Sequence, residues 1–194
     1  MNFLAHIYLS FGDPGVTLGN LIADSVRGKE YLHYSPAVRK GILLHRAIDA
    51  FTDTHPITRG SRQRLFPLYS HYSRVIVDIY YDHFLARNWE VYSPVGLPRY
   101  VAEFYVLLEE NLHWLPEPVQ RLTPYMVADN WLLNYRELQG VQRVLEGMSR
   151  RASHESNMDQ AVHELREHYE DFEREFTAFF DELVIFSRDK LTLL

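Results

Sequence analysis

Apolar residues recur at every third or fourth position over most of this chain, which is the spacing of a helix with one buried face. Ser35 and Pro36 are suited to an N-cap and a first turn. Pro56 should end the same helix, because proline disfavours α geometry in the residue before it. The predicted helices cover 36–55, 57–66, 69–88, 99–114, 128–148 and 158–190, and Pro67 follows the end of the second. The last helix carries a mostly aromatic stripe of apolar residues, at Leu165, Tyr169, Phe172, Phe176, Phe179 and Phe180.

Three segments outside these helices carry other signals. Residues 93–98 read Ser-Pro-Val-Gly-Leu-Pro and predict a loop, and the prolines within 116–124 predict a stretch rich in turns. Residues 3–9 are apolar and fit either a strand or a buried helix, and periodicity does not decide between the two. The prediction is an all-α, single-domain helical bundle over residues 1–194, in which the helices 36–55 and 69–88 are neighbours and line a polar cavity.

Composition narrows the class of protein. A chain of 194 residues with 46% hydrophobic and 14% aromatic residues can bury one sizeable core. Cysteine is absent, which excludes disulfides, thiolate zinc sites and a cysteine nucleophile. No apolar run reaches the roughly 18 residues that a membrane span needs, and the first residues lack the features of a secretory signal. We therefore expect a cytoplasmic protein that does not associate with membranes.

Two of the predicted helices carry ligand-type side chains among apolar neighbours. His45 and Asp49 lie four residues apart in the first, and Asp78 and Asp82 lie four apart in the second, followed by His83. Residues at this spacing share one face of a helix. Buried carboxylates are costly unless they are paired or bind a metal. The pattern predicts an internal metal site, and the competing interpretation is ordinary ion pairing with neighbouring arginines. Carboxylate and imidazole ligands without thiolate suit Mn, Fe, Zn or Mg.

Four further residues are candidates for the same site. His6 lies in the apolar segment 3–9, where a single histidine can equally be a hydrogen-bonded core residue. Asp24 can bind metal or simply cap a helix. Arg27 and Arg46 can hold phosphate, because a guanidinium group binds phosphate oxygens in pairs, although solvated charge is the simpler interpretation.

The net charge of −6 is unevenly distributed along the chain. Residues 27–87 contain ten Lys or Arg against five Asp or Glu, a net +5, whereas residues 146–194 contain six against twelve, a net −6. A metal bound by the acids of the central part would make that part more positive still. This predicts an anionic substrate or partner, and the acidic C-terminal part argues against nucleic acid.

Short motifs follow one another in a recognisable order. They are Asn2-Phe3-Leu4-Ala5-His6, Gly19-Asn20, Asp24, Val26-Arg27-Gly28, Gly41, His45-Arg46, Ile48-Asp49, Thr52-Asp53, Asp82-His83-Phe84-Leu85, Trp131-Leu132 and Tyr135-Arg136. In order and spacing they resemble the acyl carrier protein phosphodiesterase family over nearly the whole chain. The motifs within the first ninety residues are the most specific.

The resemblance implies a helical, manganese-stimulated enzyme that removes the 4′-phosphopantetheine arm from holo acyl carrier protein. It also implies a distant relation to the HD-type metal phosphohydrolases, although Asp82-His83 reverses the His-Asp order of that pattern. It implicates Arg27 and Arg46 in holding phosphate. The residues implicated in the metal centre are His6, Asp24, His45, Asp49, Asp82 and His83, and which of them bind metal directly is open.

The bond to be cleaved joins a serine oxygen of the carrier protein to the phosphorus of the arm. A divalent metal, Mn²⁺ before Fe²⁺, Mg²⁺ or Zn²⁺, would activate water and act as a Lewis acid. Asp24 or Asp78, where not bound to metal, could protonate the departing serine oxygen. Two alternatives stay open: a non-catalytic module that binds carrier protein, and a metal phosphohydrolase acting on a small phosphodiester or nucleotide. We also expect a basic rim that attracts the acidic carrier protein, formed by Arg59, Arg62 and Arg64.

Overall fold

The computed structural model describes residues 1–194, and all of its regular secondary structure is helical. The α-helices are α1 (Phe3–Tyr8), α2 (Pro14–Ile22), α3 (Pro36–Thr54), α4 (Pro56–Tyr69), α5 (Ser73–Arg87), α6 (Trp89–Tyr92), α7 (Leu97–Asn111), α8 (Glu117–Ala128), α9 (Trp131–Asn134), α10 (Leu138–Arg151), α11 (Val162–Glu167) and α12 (Tyr169–Leu193). Short 3-10 turns occupy Ala23–Ser25, Glu30–His33, Ser70–Tyr72, Leu112–Trp114 and Met158–Gln160. The all-α prediction is confirmed, and segment 3–9 is largely a buried helix. None of the helices is both long and apolar enough to cross a bilayer.

Several predicted boundaries are wrong, and prolines account for two of them. Helix α4 continues through Pro67, since the buried Leu65 and Tyr69 hold both sides of it. The stretch 116–124 is mostly helical, because Pro118 lies in the first turn of α8. Backbone N–H groups in a first turn have no acceptor within the helix, so proline breaks no hydrogen bond there. The predicted helix 128–148 is divided by Asn130, whose left-handed φ of 46° no helix continues through.

The long C-terminal helix predicted over 158–190 is also divided. A 3-10 turn and α11 precede α12, and His168 between them has φ −113° and ψ 29°, outside helical geometry. The predicted aromatic stripe is nevertheless correct, since Phe172 and Phe176 are fully buried and pack against the rings of Tyr80 and Phe84 on α5. One connected hydrophobic core extends from Met1 to Leu183.

The backbones of α2 and α3 touch where they cross. A Cβ on Gly19 would lie 2.1 Å from the carbonyl oxygen of Val38, and one on Gly41 would lie 2.1 Å from that of Val16. Real Cβ atoms do not approach oxygen this closely, so only glycine fits at either position. This contact brings the buried polar end of α2 against the side chains of α3.

We expect Gly41→Ala to destabilise the protein by about 1–3 kcal/mol or more, the usual cost of inserting atoms into a packed contact. Gly60→Ala is the matched control, because Gly60 also lies within a helix but has nothing near its Cβ position. That variant should be more stable by about 0.5–1 kcal/mol, since alanine favours helix over glycine. Urea unfolding measures both, and equal midpoints would contradict the close approach.

Helices α3 and α5 meet across a cavity and not through an extended helix–helix contact. Helix α3 packs mainly on α2 and α12, whereas α5 packs on α1, α4, α10 and α12. Helix α1 lies against both α2 and α5. The expected polar cavity lined by both helices is present, and Asp53 of α3 pairs directly with Arg74 of α5 at 2.8 Å.

Candidate metal centre

The cavity has a volume of about 370 Å³ and walls drawn from α1, α2, α3, α5 and α10. One arginine and two histidines, Arg74, His6 and His45, line it. It is also lined by four aspartates, Asp24, Asp49, Asp53 and Asp78. The four carboxylates slightly outnumber the cations of the cavity, which are the Arg74 guanidinium group, the Met1 amino group beside Asp78 and the His45 ring. A divalent cation bound in this cavity would add the positive charge that an anionic substrate requires.

Three of these side chains form a compact cluster that can hold a divalent metal ion. One ligand atom each from His6, His45 and Asp49 lie within 4.8 Å of one another. The Nε2 of His6 lies 3.3 Å from Oδ1 of Asp49, and the Nε2 of His45 lies 3.1 Å from Oδ2 of the same carboxylate. The two imidazole rings stack with centroids 4.0 Å apart, so both nitrogens face Asp49 from one side.

A single asparagine holds both histidine rings. The Oδ1 of Asn20 accepts from Nδ1 of His6 at 2.8 Å and from Nδ1 of His45 at 3.1 Å, and the Asn20 carbonyl accepts from His45 at 2.8 Å. The amide nitrogen of Asn20 donates to the His6 carbonyl and to Ser10 Oγ, which fixes its orientation. Both Nδ1 atoms thereby carry a proton, and both Nε2 atoms, the positions that a metal ion would bind, face Asp49.

The charges of the cluster differ between its two histidines. Burial, with help from the neighbouring His45, lowers the pKa of His6 to about 4. Burial also acts to lower the pKa of His45, but hydrogen bonds with Asp24 and Asp49 outweigh it and raise the pKa to about 9. Burial acts to raise the pKa of Asp49, yet the two histidines hold it well below its usual range.

The donor set fits a divalent metal. At neutral pH the Nε2 of His6 carries no proton, so its lone pair faces an ionised oxygen of Asp49 at 3.3 Å. Two acceptors in contact repel each other unless a cation lies between them. Imidazole nitrogen and carboxylate oxygen suit Mn²⁺, Fe²⁺ or Zn²⁺, and second ring nitrogens held by hydrogen bonds are typical of metal-binding histidines.

Asp24 joins this cluster from its open side. Its Oδ1 lies 3.3 Å from Nε2 of His45, while most of the side chain is exposed. The hydrogen bond with His45 lowers the pKa of Asp24, so its carboxyl group is ionised at neutral pH.

The structure does not bring the predicted pair Asp82 and His83 to the cluster. Asp82 is fully buried and accepts hydrogen bonds from the backbone N–H groups at the start of α1, from Leu4 at 2.7 Å and from Asn2 and Ala5 at 3.3 Å each. The carboxylate thus caps a helix N-terminus, where the backbone leaves N–H groups without partners.

His83 is held away from the cavity by two hydrogen bonds. Its Nδ1 lies 2.7 Å from the carbonyl oxygen of Tyr135, and its Nε2 lies 2.9 Å from the hydroxyl of Tyr169. Burial lowers its pKa, so the ring is neutral.

The buried cap predicts a pH dependence of stability. Burial raises the pKa of Asp82 from 3.8 to about 7, although the Met1 amino group and two backbone amides act in the opposite direction. The folded state therefore binds one more proton than the unfolded state between about pH 4 and 7, and the free energy of unfolding falls as pH rises through that window. The Asp82→Asn variant should not show this fall in the free energy of unfolding, because asparagine does not titrate. Urea unfolding with chelator at pH 4.5 and 7.5 should show the wild type losing stability relative to the variant, and a constant difference would contradict the assignment.

The remaining predicted catalytic residues lie in different places. Asp78 lines the cavity, and its Oδ1 is 3.1 Å from the Met1 amino group. Arg27 and Arg46 are not among the lining residues. Arg46 donates to the carbonyl oxygens of Val26 and Gly28, so it holds the loop that carries the exposed Arg27.

The predicted basic rim is mostly engaged in ion pairs. Arg64 binds the carboxylate of Glu175 through both terminal nitrogens, at 3.1 and 2.7 Å. Arg62 pairs with Asp53 at 3.0 Å. Only Arg59 is an exposed arginine on this stretch of α4 without such a partner.

Sequence reasoning missed three residues of the site. Asn20 was noted only as part of a motif, although a lone amide in the apolar run of α2 signals a buried hydrogen-bonding role. Thr52 follows Asp49 by three residues and so shares its helix face. Arg74 gave no signal, because only the fold shows that it is the arginine on the cavity wall.

Comparisons with known proteins identify the family of this chain. The sequence model of the family described as acyl carrier protein phosphodiesterase matches residues 1–183. A relative of that name from Photorhabdus laumondii is 36% identical over 181 residues, 93% of this chain and 91% of the relative. Another from Yersinia enterocolitica is 34% identical over 191 residues, 98% of this chain and 99% of the relative. No solved structure is significantly similar to this one. The chain therefore belongs to the acyl carrier protein phosphodiesterase family.

Proposed function

We propose that this chain is a metal-dependent phosphodiesterase that hydrolyses the bond between serine and 4′-phosphopantetheine in holo acyl carrier protein. The products are apo acyl carrier protein and 4′-phosphopantetheine. Family membership supports the substrate. The observation that carries the metal dependence is the cluster of His6, His45 and Asp49, whose ligand atoms lie together on the cavity wall.

The proposed roles follow from the contacts. His6, His45 and Asp49 hold the metal, for which we propose Mn²⁺, and Asn20 keeps both rings in the binding tautomer. When bound, the metal supplies positive charge for the phosphate oxygens and lowers the pKa of water. The ionised Asp24 accepts the proton of the attacking water, and its Oδ1 then returns that proton to the departing serine oxygen.

The cavity also suits the rest of the substrate. Its apolar lining residues, Met1, Phe3, Leu21, Val75 and Met148, can contact the aliphatic parts of the pantetheine arm. Of the three arginines expected to attract an acidic carrier protein, the exposed Arg59 is free of an ion pair and can attract it before contact. We propose that the whole chain, residues 1–194, works as one phosphodiesterase domain.

The test is incubation with holo acyl carrier protein and Mn²⁺, followed by intact-mass measurement of the carrier protein. We expect a mass loss equal to the difference between the holo and apo forms, and no loss with chelator present. Fe²⁺, Mg²⁺ and Zn²⁺ added in parallel to metal-free enzyme identify the preferred ion. Binding without mass loss under every metal would indicate a non-catalytic module. Turnover of dinucleotides with no turnover of holo carrier protein would indicate a nucleotide phosphohydrolase.

A further inference from the structure

We propose that Thr52 and Arg74 form the subsite that holds the non-bridging oxygens of the substrate phosphate, opposite the histidine–carboxylate cluster. This proposal rests on the proposed function. It assigns phosphate binding to Thr52 and Arg74, whereas the sequence had implicated Arg27 and Arg46. Both of those arginines lie off the cavity wall, and Arg46 already donates to two carbonyl oxygens of the loop.

Arg74 supplies the one guanidinium group on the cavity wall. Its terminal nitrogen lies 2.8 Å from Oδ2 of Asp53, while 59% of the side chain stays exposed. The same carboxylate is held on its other oxygen by Arg62, at 3.0 Å. Arg74 is therefore anchored through one edge, and its remaining N–H groups are available to a ligand. A guanidinium group binds phosphate oxygens with charge-assisted hydrogen bonds.

Thr52 contributes an unused hydroxyl group. It is 1% exposed, it lines the cavity, and its Oγ1 has no hydrogen-bond partner. A threonine within a helix usually donates to a carbonyl oxygen one turn earlier, and Thr52 does not. A buried hydroxyl without a partner costs free energy, so a ligand oxygen that accepts from it gains a favourable contact.

The spacing along α3 connects this subsite to the cluster. Asp49, Thr52 and Asp53 lie at positions i, i+3 and i+4 and so share one helix face. Asp53, and with it Arg74, is displaced from Asp49 by about 6 Å along the helix axis. A phosphate between them can meet the metal cluster on one side and the guanidinium and hydroxyl groups on the other. Arg62 and Asp53 act as positioning residues for Arg74.

The test uses inorganic phosphate as the probe, measured on the Mn²⁺-loaded full chain. The variants are Arg74→Gln, Arg74→Lys, Thr52→Val and Thr52→Ser, with Arg143→Gln as the control because Arg143 is an exposed arginine on α10 away from the cavity wall. We measure the dissociation constant for phosphate by calorimetry, the bound Mn²⁺ per chain, and kcat and KM for holo acyl carrier protein.

We expect Arg74→Gln to weaken phosphate binding at least tenfold and to lower kcat/KM about a hundredfold, with unchanged Mn²⁺ stoichiometry. Thr52→Val should weaken phosphate binding several-fold, whereas Thr52→Ser, which keeps the hydroxyl, should restore it. Arg74→Lys should be intermediate, because lysine keeps the charge but loses the paired hydrogen bonds. Arg143→Gln should match the wild type in each measurement.

Phosphate binding within twofold of the wild type in both Arg74→Gln and Thr52→Val would overturn the proposal. So would a parallel loss of Mn²⁺ from these variants, since the residues would then act through the cluster. If Arg74→Gln fails to fold, the Thr52→Val and Thr52→Ser pair decides alone. Arg74-dependent phosphate binding in a wild type that does not convert holo carrier protein would refute the proposed function and leave the subsite standing.

Discussion

Asp49→Asn is expected to lose the bound metal and to lower kcat/KM for holo acyl carrier protein by at least about 1,000-fold. Asp49 is the acid that meets both histidines, at 3.3 Å from His6 and 3.1 Å from His45. Its replacement by a neutral amide removes the negative charge that faces both histidines. A metal acting as Lewis acid contributes several kcal/mol to such a reaction. Each ~1.4 kcal/mol corresponds to about tenfold in rate, which gives the expected loss.

The measurements are metal content after purification without chelator and steady-state kinetics with added Mn²⁺. Asp189→Asn is the matched control, because Asp189 is an exposed aspartate near the end of α12 and far from the cavity wall. It should keep wild-type metal content and rate. Full metal occupancy in Asp49→Asn, with normal folding by circular dichroism, would refute the assignment of the cluster.

Asp82→Ala is expected to destabilise the folded protein by about 3–5 kcal/mol. The buried carboxylate accepts from three backbone N–H groups at the start of α1, and each buried donor left without a partner costs about 1–3 kcal/mol. Because α1 carries His6, loss of the cap should also weaken metal binding indirectly. Thermal and urea unfolding of metal-free protein measure the first effect, and calorimetric Mn²⁺ titration measures the second.

Asp13→Ala provides the comparison, since Asp13 is an exposed N-cap whose side chain accepts from Val16 at 2.9 Å. An ordinary cap of this kind is worth about 1 kcal/mol. The sequence had predicted Asp82 to be a metal ligand. A metal ligand would not stabilise metal-free protein, whereas a helix cap would. An Asp82→Ala variant that keeps wild-type stability without metal, yet binds no metal, would favour the ligand role and contradict the cap.

Local patterns were enough to predict much of the site. The spacing of His45 and Asp49 in an apolar helix predicts a shared face, and the structure places both at the cluster. The same reasoning correctly marked Asp82 as a buried carboxylate that needs a partner. The sequence pattern did not determine what stabilises this carboxylate, because a metal ion and the backbone N–H groups of a distant helix both stabilise a buried anion.

The sequence by itself determined the helical class, the aromatic stripe of the last helix and the ligand pair on α3, since each depends on periodicity within one helix. Only the tertiary structure decided that His6 joins that pair, that Asn20 orients both rings, and that Arg74 and not Arg46 faces the cavity. These facts depend on how α1, α2 and α5 are placed around α3. That placement follows from contacts between residues far apart in the chain, such as the glycine crossing of α2 with α3 and the Asp82 cap on α1, which no local spacing encodes.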